Sequence, residues 1–366
     1  MSRLDPTRWM KLALKLAEKG RFGTSPNPMV GACVIRGGRL VGKGYHRQFG
    51  GEHAEVNALR HAGSKARGAT LYVTLEPCAS WGKTPPCVIA IFKAGIRHVV
   101  IGALDPNPVN HKKGLAALRK EGIRVTTGVL SREIEKQNES FFKWARTKFP
   151  FVTLKMAQSL DGKIATFRGQ SRWISSPASR HFVHRLRSEQ DAVLIGKNTL
   201  LMDDPLLSPR LRKKGMSPEK PWRIVLDPDL EVSKKARIFE GDQLTLIAVS
   251  ESTAGKLKKR SPLPSVTLLP VGEIKGRLDI RDLLTQLGRL GVAKLLVEGG
   301  GELAWSLLEA GLVDKMAWIV APKIIGGRTA KTSVEGKGIE NLSKAISCRH
   351  TEVSRLGEDW LFEARL

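Results

Sequence analysis

The sequence predicts two consecutive α/β domains. Short apolar, β-rich runs such as Thr70–Glu76 and Asp191–Gly196 recur along the chain, with helix-length segments between them. A length of 366 residues favours two cores over one, and 41% hydrophobic with 26% charged residues is the composition of an ordinary folded, soluble chain. A fresh series of strands opens at Phe151, so the boundary belongs near Thr147–Phe151, giving domains of 1–147 and 148–366.

In the first domain Trp9–Lys19 is an amphipathic helix, with Thr7 as its cap and Gly20 as its stop. Ser25-Pro26-Asn27-Pro28 forms a rigid turn, after which Val30–Arg36 and Arg39–Tyr45 pair as a hairpin through Gly37-Gly38. His53 opens a short helix carrying Val56, Ala58 and Leu59. Thr70–Glu76 is a buried strand ended by Pro77-Cys78, and a further helix begins at Pro86-Cys87 and runs to about Lys93. Strand Arg97–Ile101 leads into Asp105-Pro106-Asn107-Pro108, the kind of polar turn that holds ligand contacts at a strand's carboxyl end. His111–Glu121 is helical and Ile123–Thr126 a short strand. Ser131–Thr147 is one long helix, with Ser131 as N-cap and Glu133 and Glu135 in its first turn.

The second domain repeats the theme. Phe151 begins a strand, Ser159–Ser175 is loop and hairpin, and Ser176–Ser188 is a helix with Pro177 near its start. Asp191–Gly196, Trp222–Asp227, Leu244–Ser250, Val266–Val271 and the strand opening Ala293–Gly301 are apolar. Helices fall at about Ser252–Lys259, Ile280–Leu290 and Glu302–Ala310. That spacing suits a mostly parallel sheet.

Charged residues interrupt the first twenty positions, and no apolar run reaches the length of a membrane span. Four cysteines in this length point to a reducing cytoplasm, with Cys33 and Cys348 as ordinary thiols. A net charge of +26 invites a polyanionic partner. Much of the excess sits in expected loops, Arg210–Arg223 and Lys256–Arg260. These lack the interleaved aromatics of a nucleic-acid stacking platform, so nucleic acid is not expected.

One stretch carries chemistry. His53, Cys78 and Cys87 come from two helix starts and a strand end, which places an imidazole and two thiolates around one tetrahedral zinc with a position left for water. Glu55, two residues from His53, is near the metal without being a ligand, the division of labour of zinc-dependent nucleobase deaminases. The plainer reading is two buried thiols and a core histidine, which leaves unexplained why these polar groups gather at element ends. Asn27 and His46 could face the same pocket, or be a turn residue and a surface imidazole. Gly299-Gly300-Gly301, between strand and helix, suits either a phosphate at a helix N-terminus or simply a tight turn.

Read in order, HAE, EPC…TPPC, DPNP, SLDGK, DDP and VEGG resemble the bifunctional riboflavin-biosynthesis deaminase–reductase family of bacteria over nearly the whole chain. The most specific likeness is a spacing: cytidine and tRNA-adenosine deaminases place two residues between their thiolates, and this chain places eight, with Gly82–Pro86 inside the insert. The resemblance implies a cytidine-deaminase-like α/β/α domain followed by a dihydrofolate-reductase-like α/β domain. Zinc would bind His53, Cys78 and Cys87, and Glu55 would shuttle protons. Asn27, His46, Lys83, Asp105 and Asn107 would hold the pyrimidine and its ribosyl phosphate. NADPH would meet Ala157, Trp173, Thr199 and Asp203, with Gly299, Gly300 and Gly301 cradling its phosphates. Ser171, Arg187, Leu207, Arg210 and Glu298 would meet the second substrate, with Lys155 in that pocket.

The implied reactions are hydrolytic deamination of 2,5-diamino-6-(5-phosphoribosylamino)pyrimidin-4-one and NADPH reduction of the ribosyl group of 5-amino-6-(5-phosphoribosylamino)uracil to ribityl. The expected partners are these phosphorylated pyrimidines and further copies of the chain in a homo-oligomer. Three alternatives differ in class or extent: a tRNA base deaminase with an accessory binding domain, a paralogue without chemistry, and a chain active only in its first half.

Overall fold

Apolar strands and the helices between them sort into two units, Met1–Lys148 and Phe149–Leu366, in the computed structural model, which describes residues 5–209, 220–257, 261, 263 and 266–366. The first unit runs α1 (Pro6–Ala17), β1 (Gly31–Arg36), β2 (Arg39–Tyr45), α2 (Ala54–Ala62), β3 (Thr70–Leu75) and α3 (Cys87–Lys93). It continues through β4 (His98–Ala103), α4 (Lys113–Lys120), β5 (Arg124–Thr127), α5 (Ser131–Gln137) and α6 (Glu139–Thr147). Its sheet has the order β2-β1-β3-β4-β5. β1 is antiparallel to both neighbours, whereas β3, β4 and β5 are parallel. The inner strands are buried along nearly their whole length, as strands covered on both faces must be.

Close helix packing sets the position of the chemistry. α2 lies so near β2 that a Cβ at Gly44 would stand 2.4 Å from the Ala58 amide nitrogen, so only glycine lets the helix seat there. His53 is the extended residue that precedes α2, and this seating places it at the sheet's edge.

Two expectations for this unit need correction. The cap of α1 is Asp5, whose carboxylate accepts from the Thr7 amide, with Pro6 at the first helical position; Thr7 is already inside the helix. Ser131–Thr147 is two helices. The chain breaks at Asn138, whose buried carboxamide accepts from the Met29 amide at 2.8 Å and donates to the Met29 carbonyl at 3.0 Å. That clamp holds Asn138 outside helical geometry. Ser131 is the first helical residue after Leu130, not the cap, and donates to Glu135.

The second unit opens with β6 (Phe151–Ser159), α7 (Pro177–Ser188), β7 (Ala192–Gly196), α8 (Lys197–Asp203) and β8 (Trp222–Leu226). β9 (Thr245–Ser250), α9 (Glu251–Lys256), β10 (Val266–Val271), the short β11 (Glu273–Ile274) and β12 (Arg277–Leu278), and α10 (Ile280–Arg289) follow. It closes with β13 (Lys294–Val297), α11 (Gly301–Glu309), β14 (Lys315–Ala321), β15 (Arg349–Leu356) and β16 (Asp359–Arg365). The large sheet has the order β10-β9-β8-β7-β13-β6-β14-β16-β15, parallel from β10 to β14, with an antiparallel pair at the far edge. This is the mostly parallel sheet that the strand spacing predicts.

Ser159–Ser175 forms no hairpin: Lys163 bridges to Thr332 instead, and the rest is turns tied elsewhere. The expected helix Ser252–Lys259 begins at Glu251, capped by Ser250, and its last residues lie outside the described ones, as does Arg210. No helix among the described residues is long and apolar enough to cross a membrane.

Replacing Asn138 by alanine leaves the Met29 N–H and C=O buried and unpaired, so the first unit should lose about 2 kcal/mol of stability. The check is a lower urea midpoint at unchanged slope.

Candidate active sites

Three elements of the first unit end beside one another. β3 delivers Cys78 just past its carboxyl end, α3 begins with Cys87, and α2 begins just after His53. The three donor atoms lie within 4.8 Å of one another. His53 Nδ1 is 3.2 Å from Cys87 Sγ and 3.5 Å from Cys78 Sγ. A tetrahedral zinc with N and S arms of about 2.1 and 2.3 Å has N···S edges of about 3.6 Å, so the donor set fits that ion in type and size. The Cys87 amide donates to Cys78 Sγ, and hydrogen bonds from Cys87 and His53 draw the Cys78 thiol below its ordinary value. That cost to the neutral thiol favours the thiolate a cation needs.

Glu55 sits in the first turn of α2, 3% exposed, on the wall of a cavity of about 290 Å³ that His53 and Cys78 also line. Burial lifts its carboxyl above the ordinary carboxylate range. His46 stands edge-on to the His53 ring at 5.2 Å. Its Nδ1 meets the Glu52 carbonyl at 3.0 Å and its Nε2 meets the Asn27 amide at 3.2 Å, a pair of contacts that suits a neutral ring. Burial and the neighbouring His53 push His46 down to about 4. Lys83 lies over the Phe49 ring at 4.0 Å, and burial raises Asp105 to about 6. Asn27, His46, Lys83, Asp105 and Asn107 all line this one cavity.

In the second unit every residue singled out from the sequence, Arg210 aside, lines a cavity of about 1460 Å³. At its floor Arg187 makes a two-pronged bond to Glu298, Nε to Oε1 at 2.5 Å and Nη2 to Oε2 at 2.9 Å. Lys155 Nζ approaches Oε2 at 3.6 Å. Burial alone would raise Glu298, but the two cations outweigh it and hold the carboxyl at about 2. Burial lowers Lys155, with Glu298 opposing. Ser171 donates to Asp203 at 2.6 Å, joining a residue read as substrate-facing to one read as nucleotide-facing. Gly299 and Gly300 lead into α11 without a side-chain cap, leaving its first amides to a ligand or to water. A Cβ on Gly301 would meet the Thr332 carbonyl at 2.5 Å, so the turn is tight as well as open. The tight-turn reading of this glycine run is thus observed.

Sequence reasoning passed over Glu76. It is 4% exposed, lines the first cavity, and accepts from three backbone amides of the Asp105–Leu115 segment. A carboxylate closing an apolar strand just before Pro77-Cys78 was the available signal. α8, which carries Thr199 and Asp203, was also unassigned.

Fold and sites together define a zinc-site deaminase unit joined to a reductase unit with a nucleotide-sized cavity. Residues 5–103 match the cytidine and deoxycytidylate deaminase zinc-binding region, and residues 150–362 match the RibD C-terminal domain. The chain is 43% identical over 351 residues to riboflavin biosynthesis protein RibD of Aquifex aeolicus, covering 96% of each, and 40% identical over 360 residues to that of Escherichia coli, again 96% of each. Its fold superposes on Acinetobacter baumannii RibD with a TM-score of 0.88 at 33% identity, over 99% of both chains. It superposes on a diaminohydroxyphosphoribosylaminopyrimidine deaminase/5-amino-6-(5-phosphoribosylamino)uracil reductase of Thermotoga maritima at 0.86 and 35% identity, over 98% of both. The chain belongs to the RibD family of riboflavin biosynthesis. It is an enzyme with two activities, a zinc-dependent deaminase and an NADPH-dependent reductase.

Because Glu298 titrates below its ordinary value of 4.5 in the fold, its contribution to stability is complete above that pH and is lost as pH falls toward 2. The stability gap between wild type and Glu298→Gln should therefore narrow over that acid window, as read in urea titrations at stepped pH.

Proposed function

We propose that the deaminase occupies residues 1–147 and acts on 2,5-diamino-6-(5-phosphoribosylamino)pyrimidin-4-one, and that the reductase occupies residues 148–366 and acts on 5-amino-6-(5-phosphoribosylamino)uracil. The observation that carries the first half is the convergence of His53, Cys78 and Cys87 beside a buried Glu55. His53, Cys78 and Cys87 would hold the zinc, which when bound would supply a Lewis acid that lowers the pKa of a water to about 7. Glu55 carries one proton of the attacking water to the ring nitrogen and then the second, from the hydroxyl of the tetrahedral carbon, to the amine that departs as ammonia. His46 and Asn27 meet the pyrimidine edge from one wall, Asp105 and Asn107 from the other, and Lys83 at the rim takes the phosphate.

In the second unit NADPH, when bound, would supply the hydride for C1′ of the opened ribose. Ala157, Trp173, Thr199, Asp203 and Gly299 to Gly301 position that nucleotide. Ser171, Arg187, Leu207, Arg210 and Glu298 orient the substrate. Lys155 stands by the charge that changes at the reacting centre; its burial beside Glu298 supports that place.

The product of the first reaction is the substrate of the second. The chain works in the cytoplasm, a placement supported by four cysteines that form no disulfide. It works as a homo-oligomer, supported by the solvent-facing edge strand β15, in which Val353 is exposed, and by the exposed Leu342 and Ile346 ahead of it in the chain.

Ammonia release and NADPH consumption, assayed separately, test both halves. Glu55→Gln should lower ammonia release on the order of 10³-fold with zinc retained, and leave NADPH oxidation by the deaminated substrate unchanged. Lys155→Ala should do the reverse, lowering reduction about 10²-fold. A Lys155→Ala chain with full reductase turnover would remove the residue from the mechanism.

A further inference from the structure

The loop that carries Asp105 and Asn107 is closed by a single carboxylate. Glu76 Oε2 accepts from the Asp105 amide at 3.2 Å and from the Lys112 amide at 3.0 Å, the two ends of the loop. Its Oε1 accepts from Leu115, in the first turn of α4, at 3.0 Å. Among the described residues no cation pairs with Glu76, so its buried charge is met by backbone dipoles alone. The fit around it is close. A Cβ on Gly114 would stand 1.9 Å from the Pro77 carbonyl, so the start of α4 lies directly on the segment between Glu76 and Cys78.

Inside the loop, the remaining bonds fix side-chain directions. The Asp105 carboxylate accepts from the Asn107 amide at 2.8 Å, the Asn107 carboxamide from Val109 at 3.1 Å, and the Asp105 carbonyl meets His111 Nδ1 at 2.8 Å. Asp105, Asn107 and Val109 face the catalytic cavity, while Leu104, Pro106 and Pro108 line a separate concavity on the other side. From Leu104 to Val109 successive residues thus line different cavities, and a shift of one residue would exchange the two sets of side chains. Ser80, in the insert between the cysteines, donates to Asn110 at 3.1 Å and ties the loop to the metal-binding segment as well.

We propose that Glu76 is a positioning residue for the deaminase: it fixes the register of the Asp105–Lys112 loop against the zinc-ligand segment, and so sets affinity for the pyrimidine substrate without touching it in the reaction. The inference rests on the reading of Asp105 and Asn107 as substrate-binding groups. A glutamine at position 76 keeps the shape but turns one acceptor into a donor facing N–H groups, so the loop loses at least one anchor.

The test is steady-state ammonia release by the zinc-loaded full chain. Glu76→Gln should raise KM for the deaminase substrate about thirtyfold, change kcat less than threefold, keep one zinc per chain, and leave the reductase untouched. In an Asp105→Ala, Asn107→Ala background the same substitution should raise KM less than twofold, because the groups it positions are gone. A wild-type KM in Glu76→Gln overturns the inference, and so does the same KM increase in both backgrounds, or a loss of zinc or kcat at unchanged KM. Asp105→Ala with a wild-type KM would instead overturn the loop's substrate role, and this inference with it. Hydrogen exchange on the unmodified chain gives a second arm that no folding failure can spoil. The Asp105 and Lys112 amides should exchange only with unfolding of the first unit, and exchange at the rate of open amides would refute the clamp.

Discussion

The close seating of α2 on β2 is the constraint on which the deaminase site depends. A helix start can present His53 and Glu55 toward Cys78 and Cys87 only if the helix axis comes near the sheet, and Gly44 is what permits it. From that one approach the rest follows. The imidazole meets two sulfurs at distances that suit one ion, the carboxylate two residues on is carried into the cavity, and His46 packs against His53 from β2's own continuation. A polar cluster this dense in a buried setting is costly unless its members satisfy one another or a cation. Here the thiols, the imidazole and the amide of Cys87 do so.

The second site solves a different problem with the same elements. Glu298 follows β13 at the floor of a wide cavity and gathers Lys155 and Arg187, so two cations share one carboxylate. The surplus positive charge suits ligands that carry phosphate, and the cavity is several times the volume of the first.

How much of this could be read from residues alone varied with the range of the interaction. The metal-binding set was legible because imidazole and thiolate suit the ion, and His53, Glu55, Cys78 and Cys87 sit at boundaries that Pro77, Pro86 and the apolar runs announce. The parallel sheet was legible from strand spacing. The break at Asn138 was not, because its cause is Met29, more than a hundred positions away and on the other side of β1 through β5 in the chain. Glu76 read as the tail of a strand for the same reason: its partners, Asp105, Lys112 and Leu115, belong to a later loop. α8 follows β7 without an intervening turn or a capping side chain, so no local signal marked its start. The miss at Asp5 was local, since Pro6 after it favours Asp5 over Thr7 as the cap.

The disparity between the two cavities bears on inhibitor chemistry. A chamber of about 290 Å³ with fixed sulfur and nitrogen donors admits fragment-sized chelators, and a resistance substitution at His53, Cys78 or Cys87 would forfeit the donors such a compound exploits. The larger chamber has room for drug-sized scaffolds with an anionic head, and a compound there would spread its contacts over many more side chains. Small warheads for one and bulky leads for the other would meet escape routes of very different width.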